Sequence, residues 1–155
     1  MASKAEDTLI IETTRGPVTV ELRPDLAPKH VARIKELARQ GFYDGVVFHR
    51  VIDGFMAQTG DPTGTGRGGS GQKLGAEFSK EPHMRGAVSM ARAQSSDSAD
   101  SQFFICFGDA TFLDGQYTVW GRVIEGMENV DRLKRGEPPT NPDKIVTMRV
   151  ATDAG

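Results

Sequence analysis

Short segments rich in β-branched and aromatic residues, each bounded by turn-forming residues, run along most of this chain and limit the folds available to it. Dipeptides such as Asp44-Gly45 and Asp53-Gly54 favour tight turns between such segments. Eight strands are predicted, at residues 8–13, 18–22, 46–52, 55–58, 87–90, 102–107, 119–124 and 144–150. So many short strands in 155 residues predict one mainly β domain, residues 1–155, with a closed or nearly closed sheet.

Two amphipathic helices interrupt the strands. After Pro28, which suits a first helical turn, apolar residues recur at helical spacing until Gly41 provides a C-terminal stop. A shorter helix is predicted from the apolar positions between Met127 and Leu133, ending at Gly136. Two helices with several antiparallel strands suit a barrel plugged at its ends, whose interior is filled by side chains. Ligands are therefore expected on the outer wall.

Composition and charge exclude several classes of partner. The chain is 37% hydrophobic and 26% charged, as in ordinary globular domains, and its formal charge is −2 with acidic and basic residues interspersed. Because no basic patch is evident, neither nucleic acid nor a membrane is an expected partner. Residues 1–7 lack an apolar signal region, and no run approaches the roughly 20 apolar residues of a membrane span, so we expect a cytoplasmic protein with residues 1–6 flexible.

The cysteine, histidine and serine residues indicate neither a nucleophile nor a metal site. Cys106 is the single cysteine, cannot form an internal disulfide and is expected in the core, as is Trp120. His30, His49 and His83 lack metal-ligand spacing, so neither a metal nor a cofactor is expected. No serine lies in a G-x-S-x-G context, which disfavours hydrolysis.

Two long loops are predicted, a Gly-rich one at residues 62–75 and a Ser-, Ala- and Asp-rich one at residues 94–100. Residues 64–69 match G-x-G-x-x-G, but no helical pattern follows and no acidic residue closes a βαβ unit. A flexible loop is therefore favoured over a dinucleotide site. Loops of this kind can frame a substrate groove that adapts to varied sequences.

One arginine lies inside an apolar strand. With alternating side chains in residues 46–52, Phe48, Arg50 and Ile52 share one face, so Arg50 is expected to be buried beside apolar surface. A guanidinium stays charged there, and it is ion-paired, extended to the rim, or offered to a ligand.

A second strand carries polar and aromatic side chains on one face. Phe103, Ile105 and Phe107 form an inward set along residues 102–107, whereas Gln102, Phe104 and Cys106 lie on the opposite face. An amide beside an outward-facing ring predicts the floor of a peptide-binding site.

Three separated motifs carry a family resemblance. F-H-R-V-I-D-G-F-M-A-Q-T-G-D at residues 48–61, S-Q-F-F-I at 101–105 and F-L-D-G at 112–115 resemble, in this order, the cyclophilin family of peptidyl-prolyl isomerases. The resemblance extends from residues 9–22 to residues 144–151, and residues 90–105 are most similar to compact bacterial members. It implies an eight-stranded antiparallel barrel with one helix at each opening, and catalysed rotation of X-Pro bonds.

The resemblance also implies roles for individual residues. Arg50 would donate to the prolyl nitrogen, Gln58 and Gln102 would bond the substrate backbone or orient Arg50, and backbone groups of Ala91 and Arg92 would anchor the preceding residue. His49 would border the groove in a packing or hydrogen-bonding role, with general-base catalysis as the minor alternative. The apolar pocket and its rim would comprise Phe55, Met56, Phe104, Phe112, Leu113 and Tyr117.

Some positions depart from the commonest family pattern. Phe112 stands where many members carry tryptophan, Tyr117 where histidine is common, and Arg92 where asparagine is common. The resemblance implies that catalysis survives these changes, while cyclosporin-type cyclic peptides bind more weakly because an indole N–H donor is missing. Expected partners are proline-containing peptides and unfolded proteins, bound by a monomer.

Three functions are compatible with the sequence. The first is a prolyl isomerase, the second a peptide-binding or chaperone-like module, and the third a metal-dependent hydrolase. Arg50 favours the enzyme, because capture of an apolar ring needs only a pocket.

Overall fold

The computed structural model describes residues 5–93, 95 and 97–154. Within these residues the strands are β1 (Thr8–Thr13), β2 (Gly16–Leu22), β3 (Arg50–Ile52), β4 (Met56–Thr59), β5 (Ala87–Met90), β6 (Phe103–Cys106), β7 (Val119–Glu125) and β8 (Ile145–Val150). The helices are α1 (Pro28–Arg39), α2 (Met127–Val130) and α3 (Ala151–Ala154), and two 3₁₀ turns form at Ala5–Asp7 and Thr111–Leu113.

The eight strands form one antiparallel sheet that curls into a half-barrel, in the order β3-β4-β6-β5-β7-β2-β1-β8. In the described part of the chain, β3 and β8 share no ladder, and the segment before β3 is linked to the start of β8 only by an isolated bridge between Val47 and Lys144 and by hydrogen bonds such as Gly45 N–H to the Ile145 carbonyl (2.7 Å). Pro142, just before β8, has no N–H to extend a ladder. The predicted closed barrel is therefore wrong, whereas the mainly β class, the eight antiparallel strands and the two predicted helices are confirmed.

The predicted strand at residues 46–52 forms only from Arg50 onward. Phe48 donates its N–H to the Asp143 carbonyl at 2.8 Å, outside any regular ladder. The irregular backbone turns Phe48 into the inner core together with Val51, three residues later. The predicted shared face of Phe48 and Arg50 is therefore wrong, because strict alternation holds only where the strand is regular.

The second helix is shorter than predicted. It ends at Val130, and the next backbone hydrogen bonds, from Arg132 to the Asn129 carbonyl and from Leu133 to the Val130 carbonyl, span three residues instead of four. Such bonds belong to tighter 3₁₀-type turns, so the chain leaves the α-helical path before Gly136.

The apolar side chains form two clusters on opposite faces of the sheet. The inner cluster fills the half-barrel and includes Trp120, Phe103 and Ile105, with α1 packed against β8. The smaller cluster lies outside β4, β5 and β6 and consists of Met56, Ala87, Phe104, Cys106, Ala110 and Leu113. The predicted alternation of β6 is thus confirmed, as are the core positions of Trp120 and Cys106. Burial raises the pKa of the Cys106 thiol to about 12, so it is a poor nucleophile.

The predicted loops contain little regular structure where they are described. Residues 62–75 form turns and bends apart from an isolated bridge between Leu74 and Ala99. Gln94 and Ser96 of the second loop, and residues 1–4 of the predicted flexible terminus, lie outside the described residues. Glu6 is ion-paired with Lys35 and Arg39 at 2.9 and 3.0 Å. No helix within residues 5–154, as far as they are described, is long and apolar enough to cross a membrane.

Candidate active site

The site is built on the outer face of three neighbouring strands. The register pairs Arg50 of β3 with Gln58 of β4, and Gln58 with Phe104 of β6. Directly opposed side chains of an antiparallel pair lie on the same face. The register therefore brings a guanidinium, an amide and an aromatic ring side by side above the outer apolar cluster.

A cavity of about 120 Å³ opens beside these residues. Its lining consists of Arg50, Phe55, Met56, Gln58, Ala91, Arg92, Phe104, Leu113 and Tyr117. A protein cavity of about 150 Å³ lined by apolar side chains can hold benzene, so this one suits a small apolar ring. Nine of the twelve predicted site residues thus line one cavity, because their motifs fall on adjacent strands and the loop that follows them.

Arg50 is not buried, contrary to the prediction. Its side chain is 44% exposed, because the outer face of the short strand β3 is open to solvent. The Nε atom pairs with Glu137 at 3.2 Å and Nη1 donates to Gln58 Oε1 at 3.4 Å. Nη2 has no hydrogen-bond partner among the described residues. Two of the three guanidinium nitrogens are thus held in place, while the Nη2 donor remains available to a ligand.

Gln58 and Gln102 form a relay between Arg50 and the Gly-rich loop. Gln102 Nε2 donates to the carbonyls of Gly66 and Gly68 at 2.9 and 3.0 Å, and Gln102 Oε1 accepts from Gln58 Nε2 at 2.9 Å. Carbonyl oxygens only accept hydrogen bonds, so the loop dictates which end of each amide points where. Gln58 consequently presents its oxygen to the guanidinium.

Asp61 organises the same loop. Its buried carboxylate accepts hydrogen bonds from Thr63 N–H (2.8 Å), Thr65 N–H (3.1 Å) and Gly66 N–H (2.6 Å). Burial alone would raise the pKa of Asp61, but hydrogen bonds from Gly68, Thr63 and Gly66 outweigh it and hold the pKa well below its usual range. A Cβ at Gly68 would lie 2.1 Å from Asp61 Oδ1, so only glycine fits there.

Arg92, Tyr117 and Ala91 form the opposite side of the cavity. The Arg92 guanidinium lies 4.6 Å from the centre of the Tyr117 ring and donates to the Gln116 carbonyl at 3.0 Å. Tyr117 in turn packs edge-on against Phe104, with 5.8 Å between ring centres. The Ala91 N–H already donates to the Gln102 carbonyl at 2.9 Å, so this N–H is not free for the predicted backbone contact to a peptide.

Three predicted site residues lie outside the cavity lining. Phe112 is 68% exposed and packs against Phe55 with 5.7 Å between ring centres and 35° between ring planes, which places it on the rim. His49 is buried beneath the loop, where a Cβ at Gly66 would lie 3.5 Å from its ring, and it touches neither groove cavity. Burial lowers the pKa of His49. Gln102 lines the neighbouring depression instead.

That depression, about 420 Å³, continues the groove along the Gly-rich loop and shares Gln58, Ala91 and Arg92 with the smaller cavity. A groove of about 600 Å³ along α1 is larger, and two of the charged residues that line it, Lys35 and Arg39, are ion-paired with Glu6. Among the residues that the structure describes, no group of three or more His, Cys, Asp or Glu side chains is arranged to hold a metal ion.

Two residues that contact the site were not predicted from the sequence. Glu137, which pairs with Arg50, lies in a Gly- and Pro-containing segment with no motif to mark it. Asp114 belongs to F-L-D-G and follows Leu113, so the motif itself was a signal for it. Its partner is His83, a buried residue beneath the cavity.

Comparisons with known proteins agree over most of the chain. A family model described as "Cyclophilin type peptidyl-prolyl cis-trans isomerase/CLD" matches residues 8–150. A Brucella suis protein named "Probable peptidyl-prolyl cis-trans isomerase" is 52% identical over 169 aligned positions, covering 98% of this chain and 86% of that protein.

Solved structures with the same fold include cyclophilins. The cyclophilin AquaCyp293 from Hirschia baltica superposes with a TM-score of 0.92 at 33% identity, over 99% of this chain and 77% of that one. A cyclophilin-type peptidyl-prolyl cis-trans isomerase from Cryptosporidium parvum, crystallised in the presence of the dipeptide Ala-Pro, superposes with a TM-score of 0.86 at 30% identity, over 92% and 98% of the two chains.

Proposed function

The chain belongs to the cyclophilin-type peptidyl-prolyl cis-trans isomerases, and from this premise we propose that the cavity beside Arg50 holds proline while the X-Pro bond turns. The substrates we propose are unfolded or flexible protein segments, whose folding the enzyme assists. The observation that carries the proposal is a guanidinium with an uncommitted donor at the edge of a small apolar cavity.

Catalysis here requires a group that binds the twisted bond better than the planar one. The barrier to uncatalysed rotation is about 20 kcal/mol, and it arises from resonance between the nitrogen lone pair and the carbonyl. As the bond twists, the lone pair localises on the prolyl nitrogen and becomes a hydrogen-bond acceptor. The Arg50 Nη2 donor would therefore stabilise the twisted state selectively, which is the condition for acceleration.

The other residues would hold one side of the bond while the other turns. Met56, Phe104 and Leu113, all nearly buried, offer an apolar seat for the pyrrolidine ring. Glu137 and Gln58 hold the guanidinium on two of its nitrogens, which reduces the conformational entropy lost when it binds the twisted bond. No covalent bond changes, so neither a nucleophile nor a cofactor is needed.

The proposal is tested by exchange spectroscopy on an Ala-Pro peptide together with refolding of a protein limited by proline isomerisation. We expect the purified protein to accelerate cis–trans exchange of the peptide and to shorten the slow refolding phase. Binding without acceleration in either assay would favour the peptide-binding module instead.

The single, buried Cys106 fits a reducing compartment, and we propose the cytoplasm as the location.

The polarity of the amide relay gives a second test. Gln102→Glu places a carboxylate, which cannot donate, against the Gly66 and Gly68 carbonyls. We expect the relay to lose its direction and kcat/KM to fall about tenfold, the equivalent of one misplaced hydrogen bond. Gln72→Glu, an exposed change of equal charge in the same loop, should keep full activity. Equal activity of both variants would contradict the role of the relay.

The rim residue Phe112 bears on cyclosporin-type cyclic peptides. Phe112 is exposed and offers no hydrogen-bond donor, so we propose weak binding of such ligands. Phe112→Trp adds an indole N–H and should raise affinity for cyclosporin about tenfold, as one good hydrogen bond does. Titration calorimetry of both proteins measures the change, and an unchanged dissociation constant would show that the missing donor is not the cause.

A further inference from the structure

His83 is a fully buried, ionisable residue beneath the cavity that the proposed mechanism does not use. Its ring lies nearly parallel to the Phe104 ring, with 6.2 Å between centres and 18° between planes. Phe104 forms part of the cavity wall on its other side. The imidazole thus supports this ring from behind.

The same residue holds the opposite wall. His83 donates its backbone N–H to Asp114 Oδ1 at 2.7 Å, and the ring atom Nδ1 lies 2.9 Å from the same oxygen. The His83 carbonyl accepts from the Ala110 N–H at 2.7 Å. Ala110 and Asp114 flank the 3₁₀ turn that carries Leu113, so both ends of this turn are tied to one residue.

These bonds to His83 matter because the turn lies between β6 and β7 and, among the described residues, pairs with no strand. The Asp114–His83 pair and the ring contact together connect the Leu113 wall to the Phe104 wall. Hydrogen bonds to the Asp114 carboxylate also lower its pKa, with the His83 backbone N–H as the main cause, so the pair keeps a charged acceptor at neutral pH.

We propose that His83 is a positioning residue of the isomerase, which sets the separation of the Phe104 and Leu113 walls and thereby the ring size that the cavity accepts. The inference rests on the proposed use of this cavity for the prolyl ring. His83 does not touch substrate, and it acts through Asp114 and Phe104. It therefore governs selectivity between proline and its larger and smaller ring analogues.

A matched pair of variants separates the two hydrogen-bonding ends of the imidazole. Nε2 lies 2.9 Å from Ser89 Oγ, on the side away from Asp114. His83→Asn can place an amide donor near the position of Nδ1 and keep the bond to Asp114, whereas His83→Gln can reach only the position of Nε2. Both variants lose the ring contact with Phe104 and keep the main-chain bonds of residue 83 to Asp114 and Ala110, so they differ chiefly in the side-chain bond to Asp114.

The readout is the ratio of kcat/KM for a peptide with proline to that for the same peptide with pipecolic acid, whose ring has one more methylene. One methylene in an apolar pocket is worth about tenfold or more, so the wild-type ratio should be at least about 10. We expect His83→Gln to reduce the ratio to about 3 or less and His83→Asn to retain more of it. A loss of protein stability alone would lower kcat/KM for both peptides by the same factor and leave the ratio unchanged.

An unchanged ratio in a folded His83→Gln protein, or an equal loss in both variants, overturns the inference. If His83→Gln does not unfold cooperatively, Asp114→Ala removes the acceptor oxygen of the same pair from the loop side, and the same fall in the ratio is expected. Arg50→Ala separates the two proposals. Its continued turnover would refute the proposed function, whereas a low turnover with an unchanged ratio in the His83 variants would refute only the role of His83.

Discussion

Arg50→Ala is expected to lower kcat/KM for an Ala-Pro peptide by about 100- to 1,000-fold, the usual loss when one preorganised transition-state donor is removed. The guanidinium lies at the cavity edge with an uncommitted N–H, and truncation leaves the apolar lining intact. Peptide affinity should therefore change much less than turnover. A protease-coupled assay gives the rate, and exchange spectroscopy gives rate and binding together.

Arg122→Ala is the matched control for this prediction. Arg122 is also an exposed arginine on a strand with one surface ion pair, to Glu21 at 3.5 Å, and it lies away from the groove. It should keep full activity, and both variants should unfold at nearly the wild-type denaturant concentration, because surface ion pairs contribute little. Turnover of Arg50→Ala at the Arg122→Ala level would remove Arg50 from the mechanism.

Arg50→Lys tests whether a positive charge at this position is enough for catalysis. Lysine keeps the positive charge but presents a single rotating ammonium instead of a planar fork. It has one nitrogen, so it cannot bond Glu137 and Gln58 from two separate nitrogens while a third nitrogen offers a donor to the substrate, as Arg50 does. We expect activity between those of wild type and Arg50→Ala.

The sequence predicted which residues lie at the cavity better than it predicted the exposure of Arg50. Gln58 and Phe104 were placed correctly because motifs on adjacent strands share a register. The burial expected of Arg50 was wrong, since the alternation was extended through residues 46–49, where the backbone is irregular. Glu137 could not be predicted because it reaches Arg50 across 87 positions, a distance that no local pattern encodes.

The fold shows the same division between local and distant information. The strands and α1 follow from alternation, turn residues and a helical apolar stripe, which are local signals. The sheet closes only if β3 and β8 lie side by side with free N–H and carbonyl groups that can pair. Their positions depend on the path of the segments before them, which local sequence does not encode. The 3₁₀ turn at Thr111–Leu113 depends on His83, far earlier in the chain.

Asp61→Asn should lower the free energy of unfolding by about 3 kcal/mol, because an amide replaces one acceptor oxygen and leaves buried loop N–H groups unsatisfied, at about 1–3 kcal/mol for each group. The carboxylate accepts hydrogen bonds from Thr63, Thr65 and Gly66, and it is fully buried. Urea unfolding at neutral pH measures the loss. Asp53→Asn, on an exposed side chain paired with Arg135, should change stability little and serves as control.

The pH dependence of the same variant identifies the charge as the cause. The folded pKa of Asp61 is lowered below its unfolded value, so the folded state binds fewer protons and the carboxylate stabilises the fold above the unfolded pKa. This contribution should decline as the pH falls below about 4, the unfolded value, towards the lowered folded pKa. The difference in unfolding free energy between wild type and Asp61→Asn should therefore shrink from pH 7 to pH 3. A difference that stays constant would mean that shape, and not the ionised carboxylate, holds the loop whose carbonyls orient the relay to Arg50.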